Sequence, residues 1–142
     1  TGGKIDRIDL KGEVVRIIDY KTGKVADSVK TVNDLFQDDR NKELDGWLQT
    51  LLYCEAFLWS DSSVRIIPSI YKLNRVPKED DTGKMRFGTT TFLEDYNEVR
   101  DDFMNNLHEI LKIIFSGDEP FIMTKDVWSK CSYCPYRKLC GR

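Results

Sequence analysis

The sequence predicts an α/β domain: a mixed central β-sheet flanked by helices, followed by a cysteine-bearing C-terminal tail. Three observations predict it. Two strand-like runs, 4–9 and 13–21, lie close enough to close on each other. Helical periodicity covers 43–59 and returns from Phe92 to Ile114. Between the two periodic stretches, 64–73 is partly β-branched and alternating. Strands and helices mixed in this order build one sheet covered by helices.

The first two runs read Lys4-Ile5-Asp6-Arg7-Ile8-Asp9 and Glu13-Val14-Val15-Arg16-Ile17-Ile18-Asp19-Tyr20-Lys21. Lys11-Gly12 between them predicts a tight antiparallel hairpin. Thr22-Gly23 ends the second strand, and 25–30 reads as a short strand or extended loop. Residues 31–42 are polar and predict a helical turn and then a loop centred on Asp38-Asp39-Arg40-Asn41. In 43–59, Leu44, Trp47, Leu48, Leu51, Leu52 and Leu58 form a wide apolar arc, so this helix is expected to be mostly buried. Pro68 inside the 64–73 run lacks a backbone donor and predicts an edge position or a bulge. Asp80-Asp81-Thr82-Gly83 predicts a loop, and 84–91 a returning strand. Thr91-Phe92-Leu93-Glu94 has the capping-box pattern. Phe92, Tyr96, Val99, Phe103, Leu107, Ile110 and Ile114 then predict a long amphipathic helix ending at Ser116-Gly117. Residues 1–118 thus form the core of the expected domain and 119–142 its tail.

The 142 residues are 40% hydrophobic and 32% charged, with only 4 Pro and 9 Gly, which excludes a disordered, collagen-like or low-complexity chain. The net charge of −2 argues against a stand-alone basic nucleic-acid binder, though not against a local basic patch. No apolar run reaches the roughly 18 residues of a membrane helix. Thr1-Gly2-Gly3 leads directly into strand-like sequence, with no initiator Met and no signal peptide. This predicts an intracellular segment of a larger protein.

The chemistry begins with strand parity. Alternate residues share a face, so Val15, Ile17, Asp19 and Lys21 point the same way. A hairpin closing symmetrically about Lys11-Gly12 sets Asp6 opposite Ile17 and Asp9 opposite Val14. Asp6 then joins Asp19 and Lys21, and Asp9 faces away; a bulge in the turn reverses that choice. Two carboxylates favour a hard divalent cation such as Mg²⁺. Such a cation polarises a phosphoryl oxygen and acidifies a bound water, while a lysine stabilises developing charge. A solvated surface pair is the competing account of Asp19 and Lys21. Val15 and Ile17 further back on the same face place the charges at the mouth of a core instead.

Gly3-Lys4-Ile5-Asp6-Arg7-Ile8-Asp9 followed by Ile17-Ile18-Asp19-Tyr20-Lys21-Thr22-Gly23 resembles the core motifs of the PD-(D/E)XK nuclease superfamily. The closest likeness is to the RecB-like nuclease domain, in the branch of AddB and the CRISPR-associated exonucleases. The resemblance runs from Gly3 to Gly141 and implies a restriction-endonuclease-like core. It implies catalytic roles for Asp6, Asp19 and Lys21, with Mg²⁺ or Mn²⁺ held by Asp6, Asp19 and the backbone carbonyl of Tyr20. The branch also carries a Gln-x-x-x-Tyr motif on the following helix. Gln49-Thr50-Leu51-Leu52-Tyr53 supplies it here, and positions four apart share a helix face. Gln49 and Tyr53 are then expected to orient Lys21 or the DNA strand.

The tail reads Cys131-Ser132-Tyr133-Cys134-Pro135-Tyr136-Arg137-Lys138-Leu139-Cys140. By spacing alone it fits a zinc site, an iron-sulfur site or three reduced thiols. The resemblance implies a [4Fe-4S] cluster on Cys131, Cys134 and Cys140, with a fourth cysteine upstream of the hairpin that this sequence does not contain. Cys54, mid-helix, is expected in the core, and His108, the only histidine, on a helix surface. The branch also has an upstream helix with a Glu or His near the metal, absent here, so the fragment alone is expected to cleave poorly.

The expected function is metal-dependent hydrolysis of DNA phosphodiester bonds. The branch implies exonuclease action within a cytoplasmic bacterial helicase-nuclease of DNA repair, with a helicase subunit or domain as partner and no membrane. The alternative is a catalytically silent DNA-binding or assembly module with the same fold.

Overall fold

The computed structural model describes residues 3–37, 41–74, 82–118, 120 and 122–141. Asp38, Asp39, Arg40, Asp80 and Asp81 of the two expected loops lie outside the described residues. The described chain groups into two units, 1–110 and 111–142.

The first unit is built on a three-stranded sheet in the order β1-β2-β3. β1 (Arg7–Lys11) and β2 (Val14–Lys21) are antiparallel, with Ile8 opposite Ile17 and Leu10 opposite Val15. The turn centres on Gly12-Glu13, one residue later than Lys11-Gly12. Gly12 has φ +61°, and a two-residue hairpin of the II′ kind needs that conformation at its first turn position, where only glycine adopts it without strain. The later centre moves the register by two residues, so Asp9 lies opposite Arg16, not Val14. A two-residue shift preserves parity, so Asp9 stays on the face away from Asp19 and Lys21.

β3 (Arg65–Lys72) lies parallel to β2, from Val14 beside Arg65 to Lys21 beside Lys72. A parallel neighbour needs a crossover, supplied by extended chain, 3₁₀ turns at Val32–Phe36 and Lys42–Leu44, and α1 (Asp45–Leu58). Trp47, Leu51, Cys54 and Leu58 repeat at three- and four-residue steps and are buried. They cover the face of Val15, Ile17, Ile66 and Ile70, which share one apolar core. Pro68 takes the edge position expected of it. It lies between Ile66, whose carbonyl accepts from Tyr96 N, and Ile70, whose amide donates to Gly83 O, so its missing donor falls on the outer side of the sheet. Residues 25–30 are extended, with a single bridge from Val29 to Phe87.

Two expected elements differ. The run 84–91 is not one strand: β4 (Arg86–Phe87) and β5 (Thr91–Phe92) form a short hairpin, broken at Gly88 with φ +62°. The second helix, α2 (Asn97–Ser116), starts later than the Thr91–Glu94 pattern predicts. Glu94 is drawn to Lys84 at 2.7 and 2.8 Å. The cap lies four residues on: Asp95 Oδ1 accepts from Asn97 N, and Glu98 Oε1 accepts from Asp95 N, each at 3.0 Å. Phe92 is therefore strand, and the buried aromatics of this region are Tyr96, before the helix, and Phe103 on it. The start of α2 is tied to α1 through buried Glu55. Arg100 reaches both its oxygens at 2.8 Å, Tyr96 OH donates at 3.0 Å and Trp59 Nε1 at 3.1 Å.

The second unit holds the end of α2, which stops at Ser116 before Gly117 (φ +69°), and the tail. A single π-helical turn spans Val127–Cys131, and backbone turns follow. Among the described residues no helix is long and apolar enough to cross a membrane.

Candidate active site

The alternation of β2 carries its inner face from Val15 and Ile17 to Asp19 and Lys21. Asp19 lies at the rim of the core and is only 1% exposed. Burial holds its carboxyl above the usual range; the Lys21 ammonium opposes that rise, and the nearby charge of Asp6 adds to it. Asp19 Oδ2 is 2.8 Å from Lys21 Nζ, an ion pair. The contact is chiefly ionic: this buried oxygen makes no hydrogen bond of good geometry, and the Lys21 ammonium beside it is the group that offsets its burial.

Lys21 is oriented from α1. Its Nζ donates to Gln49 Oε1 at 2.6 Å, and Gln49 Nε2 donates to Tyr53 OH at 2.6 Å. An ammonium only donates, so the Gln49 amide must turn its oxygen to Lys21 and its nitrogen to Tyr53. The four-residue spacing of Gln49 and Tyr53 puts both on the helix face above the end of β2. Asp19, Lys21, Gln49 and Tyr53 thus form one continuous polar chain in a partly buried setting.

Asp6 precedes β1 and is exposed. Its Oδ2 accepts from Tyr20 N at 2.9 Å, continuing the hairpin where the backbone ladder has ended. Backbone groups of one strand residue point to the same side, so the Tyr20 carbonyl lies on that edge too. Asp9 is on the opposite face, paired with Arg7 Nε at 2.7 Å.

Two glycines stand close against side chains of the site. A Cβ on Gly46, in the first turn of α1, would come within 3.2 Å of Lys21 Cε. A Cβ on Gly3 would come within 2.8 Å of Tyr53 Cε1. Motif spacing left Gly46 unremarked. Its signal was a glycine at the start of a helix otherwise rich in helix formers, where it costs about 1 kcal/mol against alanine.

The residues fit a divalent cation in one respect visible here: Asp19 Oδ2 is a buried carboxylate oxygen held by an ion pair and by no well-formed hydrogen bond. Asp6 and the Tyr20 carbonyl add hard oxygen ligands of the kind Mg²⁺ takes, which keeps several waters and needs only one or two carboxylates. Among the described residues no three His, Cys, Asp or Glu side chains form a metal-holding group. The convergence expected of Cys131, Cys134 and Cys140 is therefore not seen. They sit in successive local turns, Cys134 N to Cys131 O at 3.1 Å and Cys140 N to Tyr136 O at 3.2 Å, with intermediate or exposed side chains. These turns close between near neighbours and do not draw three sulfurs together. Cys54 is buried in the first unit, where burial pushes its thiol pKa up. His108 is an exposed helix residue.

No match is found among curated proteins or among solved structures. The family model of the PD-(D/E)XK nuclease superfamily matches residues 2–141. That superfamily comprises phosphodiester-cleaving nucleases that typically use divalent metals such as Mg²⁺ or Mn²⁺. A mixed sheet with helices agrees with its restriction-endonuclease-like fold. With an acidic strand end, a lysine two residues on, and a match spanning nearly all its length, this chain belongs to the PD-(D/E)XK nuclease superfamily.

Proposed function

We propose that the chain is the nuclease part of a RecB- or AddB-like helicase-nuclease, hydrolysing DNA phosphodiester bonds, as an exonuclease, in intracellular repair. The observation that carries this reading is the buried Asp19 carboxylate ion-paired with Lys21, with Lys21 held in turn by Gln49 and Tyr53. A divalent cation bound by Asp6, Asp19 and the Tyr20 carbonyl supplies Lewis acidity toward the phosphate and an acidified water. The chain's own residues supply the rest. Asp19 contributes negative charge where solvent cannot screen it. Lys21 presents an ammonium whose direction is set by Asp19 on one side and Gln49 on the other, so little reorganisation is needed when charge develops on the phosphate. Tyr53 keeps Gln49 from turning its amide. Gly46 and Gly3 let the helix come close enough for these contacts.

In the parent protein, the same reading has Cys131, Cys134 and Cys140 share a [4Fe-4S] cluster with a cysteine from outside this segment. A helicase subunit or domain supplies unwound DNA. The test is cleavage of linear duplex and single-stranded DNA with Mg²⁺ or Mn²⁺, by wild type and by Asp19→Ala, with circular dichroism as folding control. Metal-dependent cleavage that Asp19→Ala removes supports the reading. Equal cleavage by folded Asp19→Ala removes this site from the reaction, and absence of cleavage by the folded parent protein leaves the silent binding module as the better reading.

A further inference from the structure

Lys21 and Lys72 are register partners on parallel strands, so two ammonium groups start from adjacent positions on the same inner face. Like charges set side by side on a sheet repel. The structure separates them. Lys21 turns to Asp19 and Gln49, while Lys72 turns to the loop after β2, donating to Val25 O at 2.8 Å and to Asp27 Oδ1 at 2.5 Å. The Lys72 side chain is only 11% exposed, so its charge is committed to these two partners.

Other contacts pin the same loop. Leu73 N donates to Lys21 O at 2.8 Å, Asn74 Nδ2 to Gly23 O at 3.1 Å, Ala26 N to Glu43 O at 3.1 Å and Trp47 Nε1 to Ala26 O at 3.1 Å. Lys72 is the ionic member of this set and the one anchored beside Lys21. The loop matters to Lys21 because of Val25. The point where a Gly46 Cβ would stand is 3.2 Å from Lys21 Cε and 3.5 and 3.6 Å from the two Val25 methyls. The Lys21 stem and Val25 therefore lie against the same point of α1.

We infer that Lys72 is a positioning residue for Lys21: by clamping Val25 and Asp27 it holds the loop that keeps the Lys21 ammonium between Asp19 and Gln49. The activity consequence rests on the nuclease reading above; the structural consequence does not. Lys72→Met keeps the aliphatic stem and removes the clamp, and Lys72→Arg restores a donor. In the whole chain, Lys72→Met is expected to speed hydrogen exchange of the Ala26 amide by about tenfold or more without speeding that of β2. The NMR signal of the Lys21 side-chain amine should shift. Cleavage should lose about 10- to 100-fold in kcat with KM unchanged, because a slightly misplaced group costs turnover and not substrate affinity. Lys72→Arg should recover most of each effect.

Unchanged Ala26 exchange and an unmoved Lys21 signal in folded Lys72→Met overturn the clamp. A loosened loop with full kcat overturns its link to Lys21. Cleavage is read in the parent protein; if its wild type does not cleave, the nuclease reading fails, and exchange and the Lys21 signal alone decide the clamp. If Lys72→Met does not fold, Asp27→Asn, at an exposed partner, is put through the same measurements with a smaller effect expected. No change there overturns the proposal as well.

Discussion

The acidic hairpin and the cysteine tail carry their chemical groups in opposite ways. In the hairpin each polar group is held by another element: Asp6 by the Tyr20 amide, Lys21 by Gln49, Gln49 by Tyr53. In the tail the cysteines sit in turns that close on near neighbours, with Trp128 88% and Tyr133 98% exposed around them. The difference teaches what pre-organisation rests on. A strand end beside a covering helix receives its geometry from the packing of a whole core. Successive turns receive theirs from three or four residues, and among the described residues these leave the cysteines in no metal-holding group.

The largest effects should come from breaking the hairpin side. Asp19→Ala and Lys21→Ala are each expected to lower metal-dependent DNA cleavage by about 10²- to 10³-fold or more, measured as initial rates on a labelled linear substrate. Full activity in either folded variant would erase the contrast between the regions. Smaller losses should follow from loosening the support. Tyr53→Phe frees the Gln49 amide, and Gly46→Ala pushes a methyl toward Lys21 Cε; each should reduce cleavage about 10-fold. Gly46→Ala should leave stability within about 1 kcal/mol, since helix propensity gains what crowding costs. A Gly46→Ala protein that is strongly destabilised, or fully active, contradicts the close-approach account.

The third effect is on stability. Glu55 is held below the usual carboxyl range, first by Arg100 and then also by Tyr96 and Trp59. Its contribution is present above its ordinary pKa of 4.5 and is lost as the pH falls through the lower folded value. Asp19 has the opposite sign. Its folded pKa is raised, so it favours the folded state in acid and loses that contribution as the pH rises through the folded value. Glu55→Gln is expected to cost about 1–3 kcal/mol near neutrality, less than a wholly buried pair because the Arg100 side chain is 40% exposed. It should also flatten the acid loss of stability. Asp19→Asn should remove the opposing trend. Urea denaturation at a series of pH values reads both, and equal pH slopes in all three proteins would reject the assignment. The smallest effects belong to Asp9→Ala and to Cys131→Ser with Cys134→Ser. Each should leave cleavage by this chain within about twofold. A large loss from the cysteine change would show that the tail supports the hairpin site after all.

The parts of the fold legible in the sequence are those with one strong local period. Parity put Asp19 and Lys21 on one face and Asp9 on the other, and that survived a turn misplaced by one residue because the register moved by two. Helical spacing found the buried stripe of α1, apart from exposed Leu52, while the pairing of Gln49 with Tyr53 came from the family motif. What was not legible depended on competition between distant groups. Glu94 could have capped a helix at Thr91, but Lys84 takes it, and Asp95 with Glu98 caps the helix four residues later. Gly88 divides a run that reads as one strand. Gly46 and Lys72 matter through what approaches them in space, and no spacing rule reports that. The cysteine pattern was the clearest motif in the tail, yet spacing names ligands without assembling them.

Pro68 has a consequence for how the molecule meets its own copies. An open sheet edge offers a row of unpaired donors on which another chain can add a strand. On the outer side of β3, Ile66 uses its carbonyl for Tyr96, Ile70 uses its amide for Gly83, and Pro68 between them has no donor to offer. From Ile66 to Ile70 that margin therefore lacks the repeating hydrogen-bond pattern that strand addition requires. Between Ile66 and Ile70, the strand that flanks the proposed catalytic lysine therefore offers an added strand a poorer backbone template than an open edge does.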